Sequence, residues 1–400
     1  MKKTVSKPKD CVRIGIVGVG NMGSFHANSL LGGAIPRAKL TAVCDINPAK
    51  LGRFGDDIRK FTDSRELIRS GEVDAVIIAT PHYFHTTIGV DALDNGLHTL
   101  SEKPISVHKA DASKLLAAHK RNPKLVFAAM FNQRTNPQYA KLRELIQSGE
   151  LGQVVRMNWI ITDWFRSQYY YDSGDWRATW GGEGGGVLMN QCPHQLDLLQ
   201  WIFGMPTQVR AFCDIGKFHN IEVEDNVTAY LKFPNGATGV FITTTGEAPG
   251  TNRLEIAADY GRVVLEGTGG DIHWKRNTRP MSDVRMNEKN VWAGTETWDV
   301  TIPGKGVGEQ HNGILKNYVG AILDGAPLIA PGDEGINAVE LCNAMLYSSF
   351  TDKTVDLPID SAAYERHLKK LIRNSTFKKA AVAPSAEVVD MAASNSAFKK

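Results

Sequence analysis

The chain has 400 residues, 42% apolar and 22% charged, a composition that builds packed cores and excludes a disordered or fibrous polypeptide. Lys and Arg (46) nearly offset Asp and Glu (43), and the net charge of +3 is not gathered into a tail or stripe, which argues against a nucleic-acid partner. No apolar run reaches the length of a membrane span, and the basic start MKKTVSKPKD has no apolar stretch behind it. Cys11, Cys44, Cys192, Cys213 and Cys342 are odd in number and scattered, which suits reduced thiols, so a cytoplasmic protein without membrane contact is expected.

From Val12 to about Met130, short apolar runs alternate with amphipathic stretches, the sequence form of consecutive βαβ units on a parallel sheet. VRIGIVG reads as the first strand and 22–31 as the helix after it; KLTAVCD (39–45), VDAVIIAT (73–80), LHTLSEKP (97–104) and KLVFAAMF (124–131) read as later strands. The spacing predicts a helix from Pro137 to Gln147, stopped at Gly149. Beyond it the strands lengthen and alternate, as in VVRMNWIITDW, TQVRAFCDI, NVTAYLKF, ATGVFITTT, NRLEIAADY and GRVVLEG, without intervening helices and with hairpin turns at PNG (234–236) and DYG (259–261). Helical patterns follow at 311–323 and 332–350. The expected fold class is α/β: a Rossmann domain over 1–134, then an α+β domain over 135–378 on a large, mostly antiparallel open sheet. The remainder, 379–400, reads as a flexible tail or an arm that orders on a partner subunit.

Gly18-Val19-Gly20-Asn21-Met22-Gly23 is a G-x-G-x-x-G motif between an apolar strand and a helix. Gly18 permits the tight turn, Gly20 lets backbone approach a pyrophosphate, and Gly23 allows close helix–strand packing, while the helix amino terminus offers N–H groups to phosphates. Asp45 ends the second strand, where a carboxylate accepts from both ribose hydroxyls and repels a 2′-phosphate. Ile46, Asn47 and Pro48 offer no arginine to neutralise one, so NAD is the expected cofactor.

The fingerprint, Ala79-Thr80-Pro81 with His85, Glu102-Lys103-Pro104, FNQR at 131–134, Trp176-Arg177 and GGGVLMNQCPHQLDLLQWIFG at 184–204 resemble the Gfo/Idh/MocA family of glucose–fructose oxidoreductases and inositol dehydrogenases, over roughly 12–350. The resemblance adds Met22, Asn21, Thr80, Pro81, His85, Glu102 and Lys103 to the cofactor-binding set. It implies that Lys103 hydrogen-bonds the reacting hydroxyl and stabilises the developing alkoxide, aimed by a cis peptide at Pro104. It also implies an Asp and a His four positions apart on one helical face. Here those positions hold Asn190 and His194, so the amide cannot take a proton and His194 becomes the general base, with Asn190 orienting the hydroxyl. Cys192 beside His194 is too sparse a pattern for zinc, and no metal is expected.

Residues 159–183 concentrate Trp159, Trp164, Phe165, Tyr169, Tyr170, Tyr171, Trp176 and Trp180, interleaved with Arg166, Arg177, Asp163, Asp172 and Asp175. Rings stack on the C–H faces of a pyranose and charged groups bond its hydroxyls, although core packing or a subunit interface accounts for some of these positions equally. The substrate-binding set is Asn132, Arg134, Trp164, Arg166, Trp176, Arg177, Asn190, His194 and His311. The expected activity is NAD-dependent oxidation or reduction of a secondary ring hydroxyl of a sugar or glycoside, at C3 of a glucoside, by a homo-oligomer. An inositol or polyol dehydrogenase, an NAD-retaining glycosidase or lyase acting by transient oxidation, and a non-catalytic NAD-sensing regulator are the alternatives.

Overall fold

A computed structural model describes residues 10–379. The sequence elements of the first part form β1 (Val12–Val17), α1 (Asn21–Leu31), β2 (Ala38–Cys44), β3 (Arg59–Phe61), α2 (Ser64–Arg69), β4 (Ala75–Ile78), α3 (Tyr83–Asp94), β5 (His98–Ser101), α4 (Lys109–Arg121) and β6 (Phe127–Ala129). All six strands pair in parallel, in the order β3-β2-β1-β4-β5-β6. Helices cover such a sheet, so central β4 (AVII) is buried at every position. Strand order reverses between β1 and β4, and that switch point at the carboxyl ends of the strands is where open α/β sheets take ligands.

The second part opens on α5 (Pro137–Gln147), capped by Asn136, whose Oδ1 accepts from Gln138 N–H at 2.9 Å, and closed at Gly149 with φ of 79°. There follow β7 (Val154–Ile161), α6 (Gln168–Asp172), α7 (Pro193–Phe203), β8 (Gln208–Ile215), β9 (Glu224–Lys232), β10 (Thr238–Thr244), β11 (Asn252–Ala258), β12 (Gly261–Glu266), β13 (Ile272–Asn277), α8 (Met281–Asn287) and β14 (Thr297–Ile302). After α9 (Gln310–Asp324) and α10 (Gly335–Thr351), β15 (Val355–Asp356) adds an edge strand and α11 (Ser361–Asn374) ends the described chain. The nine-stranded sheet runs β14-β13-β12-β11-β7-β10-β9-β8-β15 and is antiparallel except at β7–β10. Alternating burial along β9, with Val227, Ala229 and Leu231 inward, is the half-covered pattern the sequence carries. None of the helices among the described residues is long and apolar enough to cross a membrane.

Two expectations change. Strands β7 and β8 are separated by α6 and α7, because the glycine-rich stretch between them contains a short aromatic helix and the buried PHQLDLLQWIF helix. The second domain does not keep all of 135–378: the chain returns at His311–Ile336 to the first compact unit, while, among the described residues, Asn132–Gln310 and 337–379 form the second. Local contacts explain the return. Ala129 N–H donates to Ala330 O at 3.1 Å, Phe127 packs on the backbone of Gly332, His119 Nδ1 lies 2.8 Å from Asp333, and Arg37 forms a bidentate pair with Asp324. The two ends of the inserted segment are themselves joined, Asn132 Nδ2 donating to Gln310 Oε1 at 2.7 Å and Gln310 N–H to Thr135 Oγ1 at 2.9 Å. Of the expected tail at 379–400, Lys379 is held, its Nζ donating to Tyr171 O at 2.6 Å and Arg177 O at 2.9 Å, and 380–400 lie outside the described residues.

The β11–β12 hairpin turns on Asp259-Tyr260, and Gly261 pays its entry with a φ of 106°; a Cβ there would stand 2.0 Å from Lys275 O on β13. Gly261→Ala is expected to cost roughly 1–3 kcal/mol from the backbone conformation alone, with more from the clash, read as a lowered denaturation midpoint.

Candidate functional site

The first unit contributes a dinucleotide cradle. Gly18 has φ of 87°, and a Cβ on it would meet Ala79 O at 2.7 Å and Thr80 N at 2.9 Å, so the β1 and β4 loops touch only because the side chain is absent. A Cβ on Gly23 would lie 1.9 Å from Gly18 O. Gly20, by contrast, faces open space, and α1 has no side-chain cap where α2, α5 and α11 each have Asp or Asn. Bare N–H groups at an open helix amino terminus suit a pyrophosphate. Asp45 is buried; its Oδ2 accepts from Val19 N–H at 3.0 Å and its Oδ1 from Asn47 N–H at 2.9 Å, which leaves lone pairs on both oxygens for two ribose hydroxyls. Thr80 Oγ1 is buried without a hydrogen-bond partner among the described residues. These features fit NAD.

Cations do reach this end of the cradle, from later residues than 46–48. Lys50 Nζ lies 3.5 Å from Asp45 Oδ2, and Arg53 Nη2 donates to Ser24 Oγ at 2.6 Å and to Val19 O. The short helical turn Pro48–Lys50, capped by Asn47, brings them back.

Lys103 sits half-buried in the loop after β5, ahead of a cis peptide to Pro104. His85, expected at the cofactor, instead ties two loops: Nδ1 lies 2.7 Å from Pro104 O and Nε2 2.7 Å from Thr80 O, with burial lowering its pKa against the pull of both carbonyls. The Glu102 carboxylate is likewise occupied. Its Oε1 lies 2.7 Å from His26 Nε2 and its Oε2 accepts from Lys103 N–H at 3.2 Å. Burial alone would raise the Glu102 pKa, but the His26 hydrogen bond and the charges of His26, His311 and Lys103 take it down to about 2. Sequence reasoning missed His26; a histidine on the inner face of a helix three residues past the fingerprint was the available signal. His311, expected among the substrate contacts, packs within the first unit against Phe25 and His26, centroids 5.2 and 5.9 Å away, and burial pushes its pKa down to about 4.

The second unit contributes His194 in the first turn of α7, only 8% exposed. Asn190 does not share its helix. Pro193 opens α7, and residues 186–192 form hydrogen-bonded turns hung on β9: Gly186 and Leu188 N–H donate to the Glu224 carboxylate at 2.8 and 3.0 Å, and Val187 N–H to Glu224 O at 2.9 Å. A Cβ at Gly186 would lie 1.9 Å from that carbonyl, hence the glycine. Glu224 is fully buried, and burial, with the charge of Glu183, raises its pKa to about 7 against the two N–H groups. Asn190 Nδ2 donates to Tyr170 Oη at 3.2 Å and to Glu183 Oε1.

The aromatic segment divides. Trp159, Tyr171 and Trp180 are core. Trp164, Tyr170 and Trp176 are half-buried and flanked by guanidinium groups, Arg166 over Trp164 and Tyr170 at 5.6 and 5.2 Å, Arg177 over Tyr170 and Trp176 at 4.5 and 4.7 Å. Arg134 departs from expectation: fully buried, it forms a bidentate pair with Asp197 at 2.7 and 2.6 Å and stacks on Trp201, so its charge is spent inside the domain. Asn132 is buried at the domain's joined ends.

Residues 12–130 match the oxidoreductase family with an NAD-binding Rossmann fold, and 139–264 match the GFO/IDH/MocA C-terminal domain. The chain belongs to the Gfo/Idh/MocA family. It is an NAD-dependent oxidoreductase. Levoglucosan dehydrogenase of Pseudarthrobacter phenanthrenivorans is 24% identical over 88% of this chain and 99% of its own length. Myo-inositol 2-dehydrogenase of Thermotoga maritima is 26% identical over 64% of this chain and 75% of its own. Among solved structures, the WlbA dehydrogenase of Chromobacterium violaceum with NADH and UDP-GlcNAcA superposes with a TM-score of 0.75 at 27% identity, covering 89% of this chain and 99% of that one.

Asp45→Ala is expected to raise the dissociation constant for NAD by more than that for NADP, measured by titration calorimetry; equal losses would remove the ribose role. An imidazole that is neutral when folded protonates more readily when unfolded, so the contribution of His311 to stability is whole above about pH 6.5 and lost as pH falls toward 4. His311→Leu should therefore flatten the fall in denaturation midpoint across that window.

Proposed function

We propose that this enzyme oxidises a secondary ring hydroxyl of a sugar or glycoside, at C3 of a glucoside, to the keto sugar. The observation that carries the reading is the wall of Trp164, Tyr170 and Trp176 with the guanidinium groups of Arg166 and Arg177, in the same domain as His194 and Asn190. Rings with cations between them match a ligand whose faces are C–H and whose rim is hydroxyl. The similarity to a levoglucosan dehydrogenase along nearly its whole length supports a carbohydrate. Similarity to a myo-inositol 2-dehydrogenase keeps a cyclic polyol as the second reading.

NAD supplies the hydride acceptor. The chain's part is the proton and the charge on oxygen. His194 takes the hydroxyl proton on a ring nitrogen, while the Lys103 ammonium donates a hydrogen bond to the same oxygen and stabilises it as negative charge develops. Asn190 orients the hydroxyl. The hydroxyl carbon loses its hydrogen as hydride and becomes the carbonyl carbon, and the proton leaves later from the imidazolium to solvent. We also infer a homo-oligomer, because Phe212 and Tyr230 on the outward sheet face and Trp298 on β14 are 59%, 42% and 53% exposed.

Incubation with NAD and a panel of glucosides, anhydrosugars and inositols, following reduced nicotinamide and product mass, tests the reading. His194→Ala is expected to lower kcat by about 10²- to 10⁴-fold. Lys103→Ala is expected to lower it by about 10²- to 10³-fold. Product without accumulating NADH would replace a dehydrogenase by an enzyme that oxidises transiently and retains its cofactor.

A further inference from the structure

The amide of Asn190 can be built into its turn in two orientations that differ only by exchanging Oδ1 and Nδ2. Which one is adopted decides whether a ligand hydroxyl meets an acceptor or a donor. The neighbours of Asn190 settle this. Glu183, in the glycine turn ahead of residues 184–186, is 1% exposed, and its Oε2 accepts from Ala178 N–H at 2.6 Å. Ala178 holds a left-handed φ of 54°, a conformation that disfavours side chains, in delivering that N–H. The other oxygen, Oε1, accepts from Asn190 Nδ2. A carboxylate only accepts, so it fixes the amide with Nδ2 toward Glu183 and Oδ1 turned away. Tyr170 Oη lies on the same side, 3.2 Å from Asn190 Nδ2, and accepts from Arg177 Nη1 at 2.7 Å.

We propose that Glu183 is a positioning residue for the oxidation: it locks Asn190 so that Oδ1 is presented as the acceptor for a sugar hydroxyl. This rests on the proposed function above. Glu183 does not touch substrate; it acts through Asn190, and its buried charge polarises the amide so that Oδ1 accepts more strongly. It also restricts what residue 190 can be. An Asp at 190 would set two carboxylates against each other, and one would have to hold a proton, so the carboxylate at 183 and the amide at 190 form a single complementary pair.

Transposing the pair tests this in the full-length enzyme loaded with NAD, using the panel sugar with the highest turnover. Glu183→Gln lets Asn190 turn over, and Asn190→Asp creates the carboxylate clash. Each single change is expected to lower kcat/KM about tenfold or more, with NADH affinity unchanged. The double variant E183Q/N190D restores one donor facing one acceptor and still presents an oxygen to the sugar. It is expected to recover at least about tenfold in kcat/KM over either single variant while all three variants share one denaturation midpoint, a split that a purely structural glutamate would not give. If E183Q keeps kcat and KM within about twofold of wild type, or if the losses simply multiply in the double variant, the role of Glu183 is overturned. Loss of activity in H194A with E183Q unaffected sinks this inference alone, leaving the proposed function standing. A wild-type enzyme that turns over no sugar or polyol with NAD overturns both.

Discussion

The carbonyl oxygen of Gly18 lies 1.9 Å from the place a Cβ at residue 23 would take. Only the absence of that atom lets α1 start so close behind β1, and the dinucleotide half of the enzyme depends on this approach. It puts the bare N–H groups of α1 over the open space at Gly20 and leaves Val19 N–H free to hold the buried Asp45 carboxylate, so phosphate and ribose functions come from one turn. Contact between the β1 and β4 loops through Gly18 places the Thr80 hydroxyl, without a partner among the described residues, beside the same turn, and His85 then ties that loop to Pro104. The position of Lys103 is thus inherited, loop by loop, from a glycine turn some eighty residues earlier in the chain.

Two buried carboxylates show how each domain manages charge. Glu102 and Glu224 are both cut off from water, yet one is driven down to about 2 and the other up to about 7. The difference is in their neighbours. Glu102 faces His26, His311 and Lys103, so cationic and hydrogen-bonding partners overcome desolvation. Glu224 faces two backbone N–H groups and the negative Glu183, which do not. The first is a fixed anion under the Lys103 loop; the second sits near its neutral point under the turns that carry Asn190.

Elements whose signal is local could be read from the sequence. Glycine spacing, the Asp45 position, the apolar parallel strands and the alternating sheet each arise from backbone geometry that a short window encodes. What a window does not encode is which partner a polar side chain meets. Arg134 and Asp197 are far apart in sequence and form one buried pair; Arg53 returns to Ser24; His311 belongs with Phe25. The family resemblance implies one helical face for Asn190 and His194, but a proline at 193 and the grip of Glu224 on 186–188 start the helix later. Arg134, part of the FNQR stretch, is one that the core absorbed.

The hydrogen bonds that join Asn132 and Thr135 to Gln310 bear on how such a chain assembles as it leaves the ribosome. The first domain is left with β6 uncovered until 311–336 has been translated, since Ala330, Gly332 and Asp333 are what Ala129, Phe127 and His119 meet. Pinning the first and last residues of the 132–310 segment together converts a very long loop into a short one, which lowers the entropic cost of bringing 311–336 back to β6.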